Sequence, residues 1–261
     1  MFSFFKKKKE EIVEQKKREN IEETDYADVT EIANYFKNET GVTFDRQTSI
    51  LQNKVMTFCK HRDIYSFSAL MSVLESDALT KQELTDYLTT NETFFYREFK
   101  QIQELVALVK KSHANVKILC APSATGEEPY SIAIALLEDG VSPSKFEIVG
   151  IDINADALQK AKDARYKQRN VRLLSSQIIN EYFDENDGVY TLKSSLKSLV
   201  TFKLANIFDA SFANIGKFDY IFCRNMLIYF DKPTKLKAKQ ILEEMRQNKE
   251  QDVFFGHADL F

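Results

Sequence analysis

The chain has 261 residues, 44% hydrophobic and 12% aromatic, enough to bury one sizeable core and a smaller one at about 100 to 200 residues per domain. Its 36 basic and 39 acidic side chains leave a formal net charge of −3, which argues against the global positive field of a nucleic-acid binder. Cys59, Cys120 and Cys223 are odd in number, far apart and without a CxxC pair, so neither a disulfide framework nor a metal site is expected and the cytoplasm is the expected compartment. The opening MFSFFKKKK places its charges after an apolar run far too short for a signal peptide or a membrane span.

In chain order, residues 1–25 form a charged segment. Lys6 to Asp25 holds seven basic and seven acidic residues, and an exposed helix or a disordered stretch with no core role is expected. For Met1 to Lys9 a solvated tail is preferred to a resting place on anionic membrane. Residues 26–90 read as a small helical domain: Val29, Ile32, Ala33 and Phe36 share one helical face, followed by Ile50, Leu51, Val55, Met56 and Cys59, then Phe67, Leu70, Val73 and Leu74. Ser66 and Thr80 stand at N-cap positions, the latter with Glu83 completing a capping box. Residues 91–115 form a junction with its own helix.

After Asn115 the pattern changes to short apolar strands alternating with helices. Strands are expected at Val116–Cys120, Phe146–Ile153, Val200–Ile207, Tyr220–Met226 and Val253–Gly256. Helices are expected at Glu127–Glu138, Ala155–Arg165, Ser175–Phe183 and Pro233–Asn248. This alternation predicts an α/β class, a doubly wound, mostly parallel sheet over residues 116–261. Between about 182 and 203, Asp187-Gly188 marks a hairpin turn, so a small antiparallel insert is expected there.

The loop after the first strand, Ser123 to Glu127, supplies only Gly126, so the three-glycine fingerprint for a pyrophosphate is absent. A phosphate-free nucleoside with a cationic end suits it better, with Glu127 or Glu128 meeting the cation. On the loop alone, complementing the helix dipole is the plainer account of both glutamates. Asp152 ends the second strand about 25 residues past the loop, where such folds place an acid for ribose hydroxyls. Capping of the next helix falls more naturally to Asn154, so Asp152 is assigned to the ribose. Asn206 and Ile207 offer an adenine edge and face, against the commoner role of a strand-end Asn in a turn. Arg224 and Asn225 interrupt an apolar strand at its ligand-facing end; the competing account for Arg224 is a buried ion pair with Asp219 or Asp231. Cys223 reads as a small buried hydrophobe. In Asn91 to Glu98, NETFFYRE, the aromatics suit interdomain packing, while Asn91, Thr93 and Arg97 are spaced to converge on one ligand. The planar fork of Arg97 suits a carboxylate.

NETFFYRE, the TGEEPYSIA loop and helix, and CRNMLIYFD together resemble the chemotaxis receptor methyltransferase (CheR) family, in order and over nearly the whole chain. The resemblance implies a Rossmann-like methyltransferase domain that binds S-adenosylmethionine (SAM), releases S-adenosylhomocysteine (SAH) and needs no metal. It implies methyl transfer to glutamate carboxylates in the cytoplasmic domain of membrane chemoreceptors, with the membrane involved only through them, no nucleic acid, and a monomeric enzyme. It assigns Asn91, Thr93, Arg97, Glu127, Asp152, Asn206, Ile207, Arg224 and Asn225 to the cofactor, with Arg97 and Tyr229 as the catalytic pair. Lys54, Lys60 and Arg62 become candidate receptor contacts, set against a solvated helix face.

Three features depart from the family pattern. Ala121-Pro122-Ser123-Ala124 replaces a loop that often carries Cys and Ser, FFGHAD replaces the usual GHSE ending, and the sequence stops before a final antiparallel strand is expected. They motivate one alternative, a SAM-binding regulatory module with little turnover. An RNA methyltransferase anchored by Lys6 to Lys9 is disfavoured by the acidic neighbours of those lysines.

Overall fold

A computed structural model describes residues 25–45 and 47–259. Expectations for Met1 to Thr24, including the Lys6 to Lys9 run, lie outside the described residues. Two compact units emerge: residues through Tyr35 with Phe44–Leu84, and Phe36–Thr43 with Thr85 onward.

The helices of the N-terminal half are α1 (Thr30–Thr40), α2 (Thr48–Lys60), α3 (Phe67–Ser76) and α4 (Ala78–Leu88). The first unit buries Val29, Ile32, Leu51, Val55, Phe58, Cys59, Leu70, Leu74 and Leu84, nearly all on the helical stripes read from the sequence. Ser66 caps α3, its hydroxyl accepting from the Ala69 N–H at 3.1 Å. Thr80 does not cap the next helix. Asp77 precedes α4, accepts from the Leu79 N–H at 3.0 Å and from the Thr80 hydroxyl at 2.6 Å, and so fills the cap role three residues earlier. Glu83, freed from the expected capping box, pairs with Arg62 at 2.7 Å.

In the second unit, α5 (Phe99–Lys111) leads into β1 (Val116–Cys120), α6 (Glu127–Glu138), β2 (Phe146–Asp152), α7 (Ala155–Asp163), β3 (Arg165–Lys167), the single turn α8 (Gln168–Val171) and α9 (Ser176–Tyr182). Then come β4 (Phe183–Asn186), β5 (Val189–Leu192), the turn α10 (Ser194–Lys197), β6 (Val200–Leu204), β7 (Tyr220–Cys223), α11 (Lys232–Glu244) and β8 (Phe254–Phe255). The main sheet runs β6-β2-β1-β7-β8 with every pair parallel. It is the doubly wound sheet expected. Because side chains alternate across a strand, Ile118 and Cys120 join the core containing α5 and α6, while Leu119 joins the one containing α11. The chain moves outward from β1 through β2 to β6, then returns to β1's other side with β7, and this reversal opens a crevice beyond the carboxyl ends of β1 and β7.

β6 and β7 end earlier than the sequence suggested. Asn206 turns the chain after β6, its Oδ1 accepting from the Phe208 N–H at 3.0 Å, and Asn225 takes φ 60° after β7. The hairpin turn is as read, with Asp187 at φ 50° and Gly188 at φ 74° joining β4 to β5. The small antiparallel sheet is larger than the insert, because β3 adds a third strand in the order β3-β5-β4. Three residues was too short a run to announce itself. Residues 36–43, read as part of the helical domain, pack in the second unit instead: Lys37 pairs with Asp231 at 2.7 Å and the Thr43 N–H donates to the Tyr229 carbonyl at 2.9 Å.

Candidate functional site

Four segments of the second unit are joined around the sheet's switch point, residues 91–98, the β1–α6 loop, the end of β2 and the turn after β7, and the end of β6 adjoins that of β2, the Ala205 N–H donating to the Asp152 carbonyl at 3.0 Å. The first is set by its aromatics. Phe95 is fully buried, edge-on to Tyr166 at 4.8 Å and Phe183 at 5.3 Å, and Tyr96 stacks on Phe99 at 3.9 Å. Interdomain packing was the expected role for both; these contacts all lie within the second unit. Between them the backbone twists, with Tyr96 at φ 59° and Glu98 at φ 48°, and Arg97 stays half-buried.

Glu127 has no solvent exposure. Its carboxylate accepts from the Thr125 hydroxyl at 2.7 Å and from the Asn170 amide at 2.8 Å, and burial raises its pKa. Asn170 also donates to the Thr93 carbonyl at 3.3 Å, while its own carbonyl accepts from the Phe95 N–H at 2.8 Å. Asn170 therefore ties NETFFYRE to the loop glutamate, a role the sequence reading missed. Nothing in its surroundings, a run with four basic residues and a second amide at Gln168, singled it out.

Glu128 plays a different part from Glu127. It forms a buried ion pair with Arg224, whose Nε donates to the carboxylate. Arg224 is 5% exposed and its Nη1 also donates to the carbonyls of Arg97 at 2.9 Å and Glu98 at 3.3 Å. The competing account of Arg224, a buried ion pair, holds with a different partner from those considered: Asp219 accepts from the Lys117 N–H, and Asp231 pairs with Lys37 and caps α11. Separation in sequence hid a partner almost a hundred positions away. The observed contacts of Arg224 thus orient the backbone that carries Arg97.

Asp152 lies 5% exposed at the end of β2. Its oxygens accept from the N–H groups of Ala124 at 2.8 Å and Asn154 at 2.9 Å, and burial, opposed by these bonds, lifts its pKa to about 6. Asn154 caps α7, as read, accepting from the Ala157 N–H at 2.7 Å. Asn206 spends donor capacity on the Glu39 carbonyl at 2.6 Å, and Ile207 is buried in the core beside α11. In the turn after β7, Asn225 and Ile228 donate their N–H groups to the Asp259 carboxylate, the latter at 3.3 Å. Asp259 is fully buried and was not singled out from the FFGHAD segment. Beside it, His257 Nδ1 lies 2.9 Å from Glu98 Oε2. Tyr229 remains 38% exposed, and burial raises its phenol pKa against the opposing charge of Arg97. Asn91 and Thr93 are half-buried on the same segment as Arg97.

The residues fit a cationic nucleoside. Glu127 is a buried carboxylate that has only neutral hydrogen-bond donors and the more distant charge of Arg169 to offset its desolvation. An ammonium group placed there would supply the missing countercharge. Glu127 and Asp152 would then hold the amino-acid end and the ribose.

Lys54, Lys60 and Arg62 fall in the first unit. Lys60 and Arg62 are exposed, Lys54 is half-buried, and Arg62 lies 3.7 Å over the Phe58 ring as well as against Glu83. Among the described residues no helix is long and apolar enough to cross a membrane, and no group of three His, Cys, Asp or Glu could hold a metal ion.

A parallel sheet with a switch-point crevice lined by buried carboxylates defines a nucleoside-binding α/β domain. Residues 91–261 match the family described as "CheR methyltransferase, SAM binding domain". A chemotaxis protein methyltransferase of Campylobacter jejuni (strain 81-176) is 33% identical over 234 residues, 89% of this chain and 88% of that one. Its Salmonella typhimurium namesake is 30% identical over 229 residues, 84% and 78% of the two chains, and that of Escherichia coli K12 is 28% identical over 84% and 79%. The chain belongs to the CheR methyltransferase family, whose work is SAM-dependent methylation in chemotaxis.

Proposed function

We propose that the protein transfers a methyl group from SAM to glutamate side-chain carboxylates in the cytoplasmic domains of chemoreceptors, giving methyl esters and SAH. The observation that carries the carboxylate acceptor is Arg97: a half-buried guanidinium that donates to the Glu92 carbonyl and is paired with no carboxylate among the described residues. Bound SAM supplies an electrophilic methyl carbon, which forms a bond to a carboxylate oxygen as its bond to sulfur breaks. No general base is required, because a free glutamate with a pKa near ~4.3 is already ionised at neutral pH.

The chain's own contribution is placement and exclusion of water. Arg97 grips the acceptor carboxylate with two donors and aims one oxygen, while Tyr229 borders the point of transfer. Glu127 fixes the ammonium end and Asp152 the ribose; Asn91, Thr93, Asn206, Ile207 and Asn225 border the remainder. Arg224 acts through the Arg97 and Glu98 carbonyls. Lys54, Lys60 and Arg62 are offered to an acidic receptor helix. We place the enzyme in the cytoplasm, as a monomer.

Arg97→Ala tests the acceptor role. Loss of one oriented charge-assisted pair, about 1.5 to 3 kcal/mol, lowers kcat/KM for receptor by roughly 10- to 150-fold. Turnover near wild type would remove Arg97 from the reaction.

A further inference from the structure

The segment from Ala164 to Arg172 carries Arg165, Lys167, Arg169 and Arg172 and no acidic residue. All four cations are exposed, and none pairs with a carboxylate among the described residues. Elsewhere in the same unit, exposed cations do find partners, as in Lys110 with Asp139 at 2.6 Å and Lys117 with Glu147 at 3.4 Å. Arg172 differs from its neighbours in being held. Its guanidinium carbon lies 3.7 Å over the ring of Phe94, and its Nη1 donates to the Arg169 carbonyl. Arg97 lies against the same ring, 5.7 Å from its centroid. One half-buried aromatic therefore carries two guanidinium groups, one of them the proposed acceptor grip. A guanidinium pinned on a ring keeps its charge and its free N–H donors while surrendering little rotamer freedom when a carboxylate arrives.

We propose that Arg172, supported by Phe94, is a second anionic subsite that binds an acidic side chain of the methyl acceptor apart from the glutamate held by Arg97. The inference rests on the proposed function. It adds that the acceptor is an acidic stretch engaged at two carboxylates, with Arg165, Lys167 and Arg169 widening the positive field that draws it in. The acceptor protein is favoured over a nucleic acid or an anionic membrane because the Arg172 cation shares its aromatic support with Arg97.

The test is a kinetic cycle on the full-length enzyme with a chemoreceptor cytoplasmic fragment. Wild type and Arg172→Gln are compared on the native fragment and on one whose acidic residues near the methylated site are changed to amides. Arg172→Gln should raise KM for the native fragment about three- to tenfold, as expected for one partly exposed charge pair, with SAH affinity within about twofold of wild type. Amidating the fragment should raise KM for wild type by a similar factor and add little in the variant. Phe94→Leu, which keeps both arginines and removes their support, should shift KM the same way. An unchanged KM, or losses that simply multiply between enzyme and fragment changes, would overturn the subsite. If wild type forms no ester, the acceptor assignment falls and the subsite with it; ester formation with an additive cycle removes the subsite alone.

Discussion

Replacing Asp152 with asparagine probes the ribose assignment and the burial of the site together. In the wild type both carboxylate oxygens accept backbone N–H groups, from Ala124 and Asn154, at a position 5% exposed. Burial outweighs those bonds and sets the pKa at about 6, against 3.8 for the free side chain. A raised folded pKa means the native state holds the extra proton between about pH 4 and 6. The stability that proton confers is present below pH 4 and lost as pH climbs through 6, up to about 3 kcal/mol at 1.36 kcal/mol per unit. Asparagine abolishes this slope, and because its amide turns a donor toward one of the two N–H groups, it costs about 1 to 3 kcal/mol relative to the protonated wild type. The two proteins should therefore be of similar stability at pH 7, with the variant weaker at pH 4. For ligand, losing charge-assisted acceptance from ribose hydroxyls removes about 1.5 to 3 kcal/mol, roughly 10- to 150-fold in SAH affinity. Wild-type affinity should fall up to about tenfold per unit below pH 6, while that of the variant stays flat. Calorimetric titration with SAH from pH 5 to 8, alongside thermal unfolding, reads both effects. SAH affinity within twofold at pH 7 and parallel pH profiles would refute the ribose role.

Glu128→Gln leaves the buried Arg224 guanidinium without its countercharge, and denaturant unfolding should show a loss of about 3 to 5 kcal/mol. Gly41 has φ +78°, and a Cβ there would meet Phe208 Cε2 at 2.4 Å, so Gly41→Ala should cost about 1 to 3 kcal/mol beyond the control Gly140→Ala, where φ is +77° but nothing lies within 4 Å. Asp259→Ala strands the N–H groups of Asn225 and Ile228, for a loss of about 1 to 3 kcal/mol in the same measurement and weaker SAH binding through the displaced Asn225 turn.

The main sheet could be read from sequence because its strands are buried on both faces and so form near-continuous apolar runs, each followed by an amphipathic helix. Asp152 stood out for a related reason: a carboxylate at the end of such a run has few structural uses. What escaped was whatever depends on sequence-distant pairing. Glu127 and Glu128 are adjacent and identical in type, yet one lies beside Asn170 and the other in an ion pair with Arg224, a division set by their separate directions at the start of α6. Asp259 went unnoticed because its purpose is to accept N–H groups from a turn more than thirty residues earlier. The capping error at Thr80 was local: Asp77 and Thr80 are both good caps, and the better acceptor took the earlier position. Residues 36–43 were grouped with the helical domain by periodicity alone, which carries no information about where a helix end docks.

The most direct test of the account is to incubate the protein with SAM labelled in its methyl group and membranes bearing chemoreceptors, then treat the receptor band with base. Release of labelled methanol, abolished or sharply reduced by Arg97→Ala, is the predicted result and would establish a carboxyl methyl ester. Tight SAH binding with no label on the receptor would contradict the proposed transfer and leave a SAM-binding module without that activity.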